Sequence, residues 1–577
     1  MAHRKPEPAL PSASAYQFKP HERPFMPGSP ATPEHPKLRR LAYLCIGVLL
    51  GLTGGFGNGL LLANLPQIQG ALGLTSVQGA WLTAAYSMTN VCMSLLLIKF
   101  RQQFGTGWFT RIFLPAFAVV SLLQLYVQGY ATEMVVRAAS GIVGSGLSTL
   151  ALFYVIQSMS AQARLGGMVL GVGISQIALP LARVISPALL QGGEVQNLYL
   201  LEWGLSLLCL GCVALLPLPP SEHVKTFEPL DFLTFALFAP GMALLCGVFA
   251  VGRVVWWSTP WIGAALAAAM VLLGTAMLVE HNRANPLLNT RWMASGQILK
   301  FATLGMTMRV LLSEQGFGST GLLTVLGMGP DQLVTLYAIV TLATVAGLAA
   351  SLATLNPQDL LRPVVISLAL IAVGAFMDAD ASNLTRPANF HVSQALIAFA
   401  ATYFMGPLMM SGILRALARG PSHLISFSAV FGISQTLGGL AGASLLGSIQ
   451  IARERLHSNE LVQALVGTDP LVAGRLDLLA LSYGRVLADP AARRTVGSTL
   501  LSQQVSREAN VLAFNDVFLV IGTLATLAFL LVGARWLLYR VKGINPLAED
   551  LATLARLRAS RAAEGSTPSP APEKGGP

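Results

Sequence analysis

Charge is scarce in this sequence of 577 residues: Asp, Glu, Lys and Arg supply 11%, against roughly 25% in a soluble average. That shortage excludes an ordinary water-soluble domain. The five cysteines, Cys45, Cys92, Cys209, Cys212 and Cys246, all fall inside apolar runs, which excludes a disulfide framework. Cys209 and Cys212 have redox-motif spacing but lack the βαβ context that gives it meaning. The eight histidines form no HExxH or other metal spacing, and no Gly-x-x-x-x-Gly-Lys-Ser/Thr loop occurs, so a metal centre and ATP-driven chemistry are both set aside. Acidic residues are scarcer than basic ones, 26 against 37. The resulting net charge of +11 flanks apolar runs, so it reads as a membrane-orientation signal and not as a nucleic-acid footprint.

What the chain has in abundance is apolar length: 54% hydrophobic residues and a mean hydropathy of +0.62. Runs long enough to cross a hydrocarbon core of about 30 Å recur throughout. They read as spans over 41–63, 80–98, 112–127, 134–157, 166–190 and 197–216, then 232–251 and 261–279, then 301–325, 332–353, 363–376, 392–414, 424–449 and 514–531. The fold class is therefore an all-α polytopic membrane protein of fourteen spans arranged 6+2+6. Lys37, Arg39 and Arg40 before the first span, with Lys99, Arg101, Arg111, Arg164, Lys225, Arg283, Arg291, Arg362, Arg415 and Arg419 in alternate loops, place both termini in the cytoplasm; Arg253 and Arg386 fall outside.

The expected organisation is a disordered cytoplasmic tail over 1–36, a six-helix half over 37–218, two extra helices and linker over 219–298, and helices 9–13 over 299–450. An external helical segment over 451–510, the last helix over 511–542 and a cytoplasmic tail over 543–577 follow. In the external segment Asp469-Pro470 and Asp489-Pro490 pair an N-cap with a first-turn proline. Leu461, Leu465, Leu476, Leu479 and Leu500 give it a face buried against the bundle or against a partner.

Within the span over 301–325 lie Arg309 and Glu314. Glu314 reads as the only carboxylate near the middle of a span, where an ionised group costs roughly 2.5–3.5 kcal/mol on the lenient scale. It either carries function or pairs with an arginine of a neighbouring helix, Arg183 by depth. Five residues separate Arg309 from Glu314, about 140° around an ideal helix, so they do not share a face.

Several motifs carry a family resemblance: Asn64-Leu65-Pro66, Trp81-Leu82-Thr83 with Tyr86, and Arg137-x-x-x-Gly141 in span four resemble the major facilitator superfamily. The fourteen spans, the run from Gln435 to Gly442 and Glu508-Ala509-x-x-Leu512-Ala513-x-x-Asp516-x-Phe518 are similar to its EmrB/QacA-type drug:proton antiporters. The resemblance implies Arg137 in proton transfer, although Glu133 one turn before it offers a structural ion pair. Gly141, Pro180, Gly438, Gly439 and Gly442 read as helix-packing positions, since association in lipid relies on close approach at small residues. The loop after span two keeps Lys99, Arg101, Gly105 and Arg111 but has Gln102 where the family has aspartate. Span five has Arg183 where a glycine is expected, and span one has no acid at 56–59. The two halves are repeats, and matching Leu72-Gly73 with Leu326-Gly327 puts Glu314 near the empty acidic position of its counterpart.

The expectation is a proton-driven exporter of small amphipathic compounds in a bacterial inner membrane, with no cofactor beyond the proton gradient. Arg183, Arg309 and Gln176 are its substrate-cavity candidates. The resemblance further implies a periplasmic adaptor, or membrane fusion protein, and an outer-membrane channel as partners. Two rivals remain open, an uptake permease and a non-transporting receptor or scaffold of the same fold.

Overall fold

The computed structural model describes residues 28–160, 163–221, 226–420 and 422–556. Most of both expected tails, 1–27 and 557–577, lies outside them. The first half comprises α1 (Lys37–Ala63), the short α2 (Leu65–Leu72), α3 (Ser76–Gln124), α4 (Tyr130–Ser158), α5 (Arg164–Leu189) and α6 (Gln196–Leu215). Then come α7 (Pro229–Val255), α8 (Pro260–His281), the single turn α9 (Thr290–Met293), α10 (Gly296–Leu311) and α11 (Thr320–Val325). The chain closes with α12 (Val334–Ala353), α13 (Leu361–Asp378), α14 (His391–Tyr403), α15 (Met405–Arg419), α16 (His423–Ala464), α17 (Pro470–Leu481) and α18 (Pro490–Val541).

Twelve helices among the described residues are long and apolar enough to cross a membrane. Two breaks reconcile that number with fourteen spans. α3 runs 49 residues but turns at Gly105 (φ 80°, ψ 169°), dividing spans two and three at a conformation that only glycine adopts without strain. Span nine is interrupted: α10 stops at Leu311, the chain widens to i→i+5 hydrogen bonding over Glu314–Ser319, and α11 resumes at Thr320. It therefore never forms one long α-helix.

The expected N-caps are present, with Asp469 accepting from the Leu471 amide at 2.8 Å and Asp489 from the Ala491 amide at 3.0 Å. Helices α16 and α18 extend beyond the bundle and carry α17 between them, and α17 packs on α18 where Gly497 meets Leu476 and Ala480. All five leucines expected on the buried face of this segment are half-buried. Val462, Val466, Leu471, Leu478, Leu481 and Val486 of the same segment stay exposed.

The two halves meet where α5 packs on α12 and α15 and where α3 packs on α16. Helix α7 touches both α3 and α16, so the extra pair straddles the junction. Residues 28–36, expected within the disordered tail, instead pack on the face of the bundle that carries both termini. Ala31 is fully buried, its amide donating to Pro220 O at 2.9 Å and its carbonyl accepting from Gln157 Nε2 at 2.7 Å, while Arg164 reaches Thr32 O at 2.9 Å. The prolines that argued for disorder are accommodated because these bonds use only backbone groups proline retains or its neighbours supply.

Candidate functional site: two buried polar clusters

Glu314 opens the widened turn of span nine and is fully buried. The wider turn re-aims the helix, and the carboxylate points to neither Arg309 nor Arg183. Its partner is Gln394 of α14, whose Nε2 lies 3.0 and 3.2 Å from the two Glu314 oxygens. The same Nε2 donates to Asp378 Oδ2, at the end of α13, at 2.8 Å. Asp378 is 3% and Gln394 1% exposed. Neither carboxylate has an ion pair among the described residues. Gln394 Oε1 is buried without a hydrogen-bond partner. Phe390, Phe514 and Phe518 form the apolar cluster around this site, and a methyl on Gly318 would sit 2.8 Å from the Phe518 ring and 3.5 Å from Glu314 Oε1. Two carboxylates on one amide donor, in an apolar setting, can exchange a proton with little rearrangement.

The second cluster lies in the first half. Arg137 of α4 is fully buried and donates from Nη1 to Gly57 O at 2.7 Å and from Nη2 to Asn58 Oδ1 at 3.1 Å, with its guanidinium 5.1 Å from the Tyr86 ring centroid. The i,i+4 pair with Glu133 does not form, since both Glu133 oxygens are buried without a hydrogen-bond partner. Glu202 of α6 is 2% exposed, accepts from Ser121 Oγ at 3.4 Å, and flanks Gly57 from the other side, where an added Cβ would lie 3.3 Å from its Oε1. Glu314 is thus not the only buried carboxylate of the spans, as its sequence setting implied.

The arginines expected in the cavity do face the junction of the halves. Arg309 Nη1 reaches Gln176 Oε1 of α5 at 3.5 Å, and its Nε donates to Gln435 O at 3.4 Å. Arg183, offered by depth as the partner of Glu314, instead crosses from α5 to donate to Thr320 Oγ1 at 3.0 Å and Tyr337 OH at 2.8 Å, its guanidinium 4.6 Å from the Tyr337 ring centroid. Neither arginine has an ion pair among the described residues. Pro180 lies within α5, one turn before Arg183.

The packing glycines sit at close helix contacts. A Cβ on Gly141 would collide with Tyr86 O of α3, and one on Gly438 would meet Arg309 Cβ at 2.8 Å. Gly439 lies beside the Arg309 guanidinium and Gly442 against Val310 and Ser313. The loop with Gln102 in place of aspartate finds its acid elsewhere: Lys99 Nζ contacts Asp231 Oδ2 of α7 at 2.6 Å. Arg283 joins that network at 2.9 Å from Asp231, 2.9 Å from Glu228 and 2.6 Å from Glu280. Hydrogen bonds from Arg283 and Asn285 hold the Glu228 carboxyl below its ordinary pKa. Arg101 stacks 4.5 Å over Phe153, Gln102 is buried, and Arg111 is exposed. Asp516 accepts from Arg453 Nε at 2.5 Å and lies 2.7 Å from His457 Nε2, tying the extension of α16 to α18.

No family model matches the chain. It is similar to the multidrug export protein EmrB of Haemophilus influenzae, 23% identical over 482 residues, covering 79% of this chain and 87% of the relative. A shorter likeness, 27% identical over 155 residues and 26% of each chain, is to the MFS-type transporter olcL of Penicillium canescens. Among solved structures the human organic anion transporter MFSD10 aligns with a TM-score of 0.50 at 14% identity, over 85% of this chain and all of that one. The last likeness concerns fold alone. These relatives and this neighbour are transporters, not enzymes.

Proposed function

The chain is a multi-pass membrane protein of the major facilitator superfamily, and on that premise we propose that it is a proton-coupled exporter of small amphipathic organic compounds working by alternating access. The observation that carries this reading is the pair Glu314 and Asp378, buried on one Gln394 amide with no ion pair among the described residues. Charge at such a site is costly, so gaining or losing a proton there changes the energy of whichever state buries it. With both carboxylates ionised, Gln394 donates to them; with a proton bound, the amide can turn so that its unpartnered Oε1 accepts from the carboxylic acid. Arg137 with Glu202 forms the counterpart site in the first half.

Substrate binds at the junction of the halves, where Arg183, Arg309 and Gln176 converge from α5 and span nine. Two cations without acidic partners favour amphipathic anions over cations. Both termini are cytoplasmic in a bacterial inner membrane, following the loop-charge asymmetry. The segment over 451–510 then projects into the periplasm, and its exposed Leu471, Leu478 and Leu481 offer an apolar surface to an adaptor of membrane-fusion type that leads to an outer-membrane channel.

Proteoliposome transport with and without an imposed pH gradient tests the reading. Gradient-driven accumulation of organic anions is expected, weakened by Arg183→Ala more for anions than for cations. Counterflow that ignores the gradient would remove the coupling, and no counterflow at all would leave a non-transporting protein. Shortening 469–504 to a brief Gly/Ser linker is expected to preserve substrate binding and abolish adaptor co-purification. Undiminished co-purification would remove the docking role.

A further inference from the structure

A cavity of about 940 Å³ opens at the face that carries the termini, bounded by α10, α13, α15, α18 and the loop between α12 and α13. Its lining runs from Gln297 to Leu547, so it belongs wholly to the second half and is separate from the junction where Arg183 and Arg309 lie. Five cations line it, Lys300, Arg362, Arg415, Arg535 and Arg540, against a single carboxylate, Asp359. Asp359 is engaged by Trp536 Nε1 at 2.9 Å, and none of the five cations has an ion pair among the described residues. Arg415 is the deepest of them, and its Nε is buried with no hydrogen-bond partner. Asp550, on the short helix over 548–556, lies close enough to Arg415 to interact with it electrostatically, yet the two form no ion pair among the described residues.

Arg415 is half-buried and the other four are exposed. Orientation signals need only be basic and solvated; they do not need to line one common cavity. Convergence is repulsive unless an anion occupies the space. Guanidinium groups match phosphate oxygens in forked pairs, and several around one volume select a phosphate-bearing anion. The rest of the wall includes apolar side chains, Phe301, Leu304, Val364, Leu408 and Val532. Trp536 and Tyr539 lie against two of the cations, with the Arg540 and Arg535 guanidiniums each 5.4 Å from the ring centroid, the kind of side chain found in an interfacial aromatic belt. An inorganic phosphate needs neither that wall nor that volume, whereas a headgroup with the first part of its acyl chains uses both.

We propose that this cavity binds a phosphate-bearing anion supplied by an acidic phospholipid of the surrounding leaflet, independently of the transported substrate. The test is native mass spectrometry of the full-length purified protein titrated with phosphatidylglycerol, with phosphatidylcholine, and with free glycerol phosphate. Phosphatidylglycerol is expected to bind at least tenfold tighter than phosphatidylcholine. The double change Arg362→Gln with Arg415→Gln should weaken it at least tenfold, while Arg386→Gln on the opposite face leaves it unchanged. Should the double variant fail to purify, the charge-keeping pair Arg362→Lys with Arg415→Lys replaces it, with a smaller loss expected because the forked contacts alone are removed. Displacement of the lipid by free glycerol phosphate would support the anion site and assign it a soluble source. Equal binding of the two lipids, or binding unchanged in whichever variant pair purifies, would overturn the proposal.

Discussion

The two halves of the bundle bury acid in opposite ways. In the first, Glu133 and Glu202 lie near Arg137, whose own hydrogen bonds go to Gly57 and Asn58 of α1. In the second, Glu314 and Asp378 share an uncharged amide. A nearby cation favours the ionised carboxylate, whereas an uncharged amide donor leaves the cost of burying that charge largely in place. The two halves therefore differ in electrostatics, the first holding its acids near a cation and the second on an uncharged amide.

Removing the cation should break this contrast most violently. Arg137→Met removes two hydrogen bonds from a charged donor, to Gly57 O and Asn58 Oδ1, at about 1.5–3 kcal/mol each, so a loss of about 3–5 kcal/mol is expected, read as a lower melting temperature of the purified protein. A melt like that of the parent would mean that charge does not organise the first half. Next in size is the network at the face carrying the termini. Asp231→Ala strands Lys99 while Arg283 keeps Glu228 and Glu280, so a loss of about 1.5–3 kcal/mol is expected. Adding Lys99→Met should restore part of it, and strictly additive losses would show that the two side chains are not coupled. Gly105→Ala forces a side chain into a left-handed backbone between spans two and three, for about 1–3 kcal/mol. Smallest in stability is Glu314→Gln, expected within about 1 kcal/mol because it removes a buried charge and no packing, while gradient-driven transport disappears and Glu314→Asp keeps part of it. Energised transport at the parent rate in Glu314→Gln would erase the distinction between the halves.

Much of the fold was legible from apolar run lengths, and the caps at Asp469 and Asp489 from local chemistry alone. Long-range partners were not. Asp378 sits just past the apolar run that ends span eleven, so it read as loop, and Gln394 carries no charge to draw notice. Glu202, with leucines on the side preceding it, gave no sign that it approaches Gly57 and Arg137. The acid missing from the loop at Gln102 is supplied by Asp231, more than a hundred residues away, which no local motif reveals. Arg183 meets span nine at Thr320, six residues beyond Glu314, and the widened turn at Glu314–Ser319 that separates them was not readable from spacing. Residues 28–36 read as disordered because composition registers apolar content and not the backbone bonds that fix them.

Substrate-triggered proton release by the purified protein in weakly buffered detergent solution tests the central claim most directly. Release on the order of one proton per bound substrate is expected from the parent, and none from Glu314→Gln combined with Asp378→Asn at matched substrate occupancy. Equal release from that double variant would contradict the account, because the exchanged proton would then reside elsewhere in the bundle.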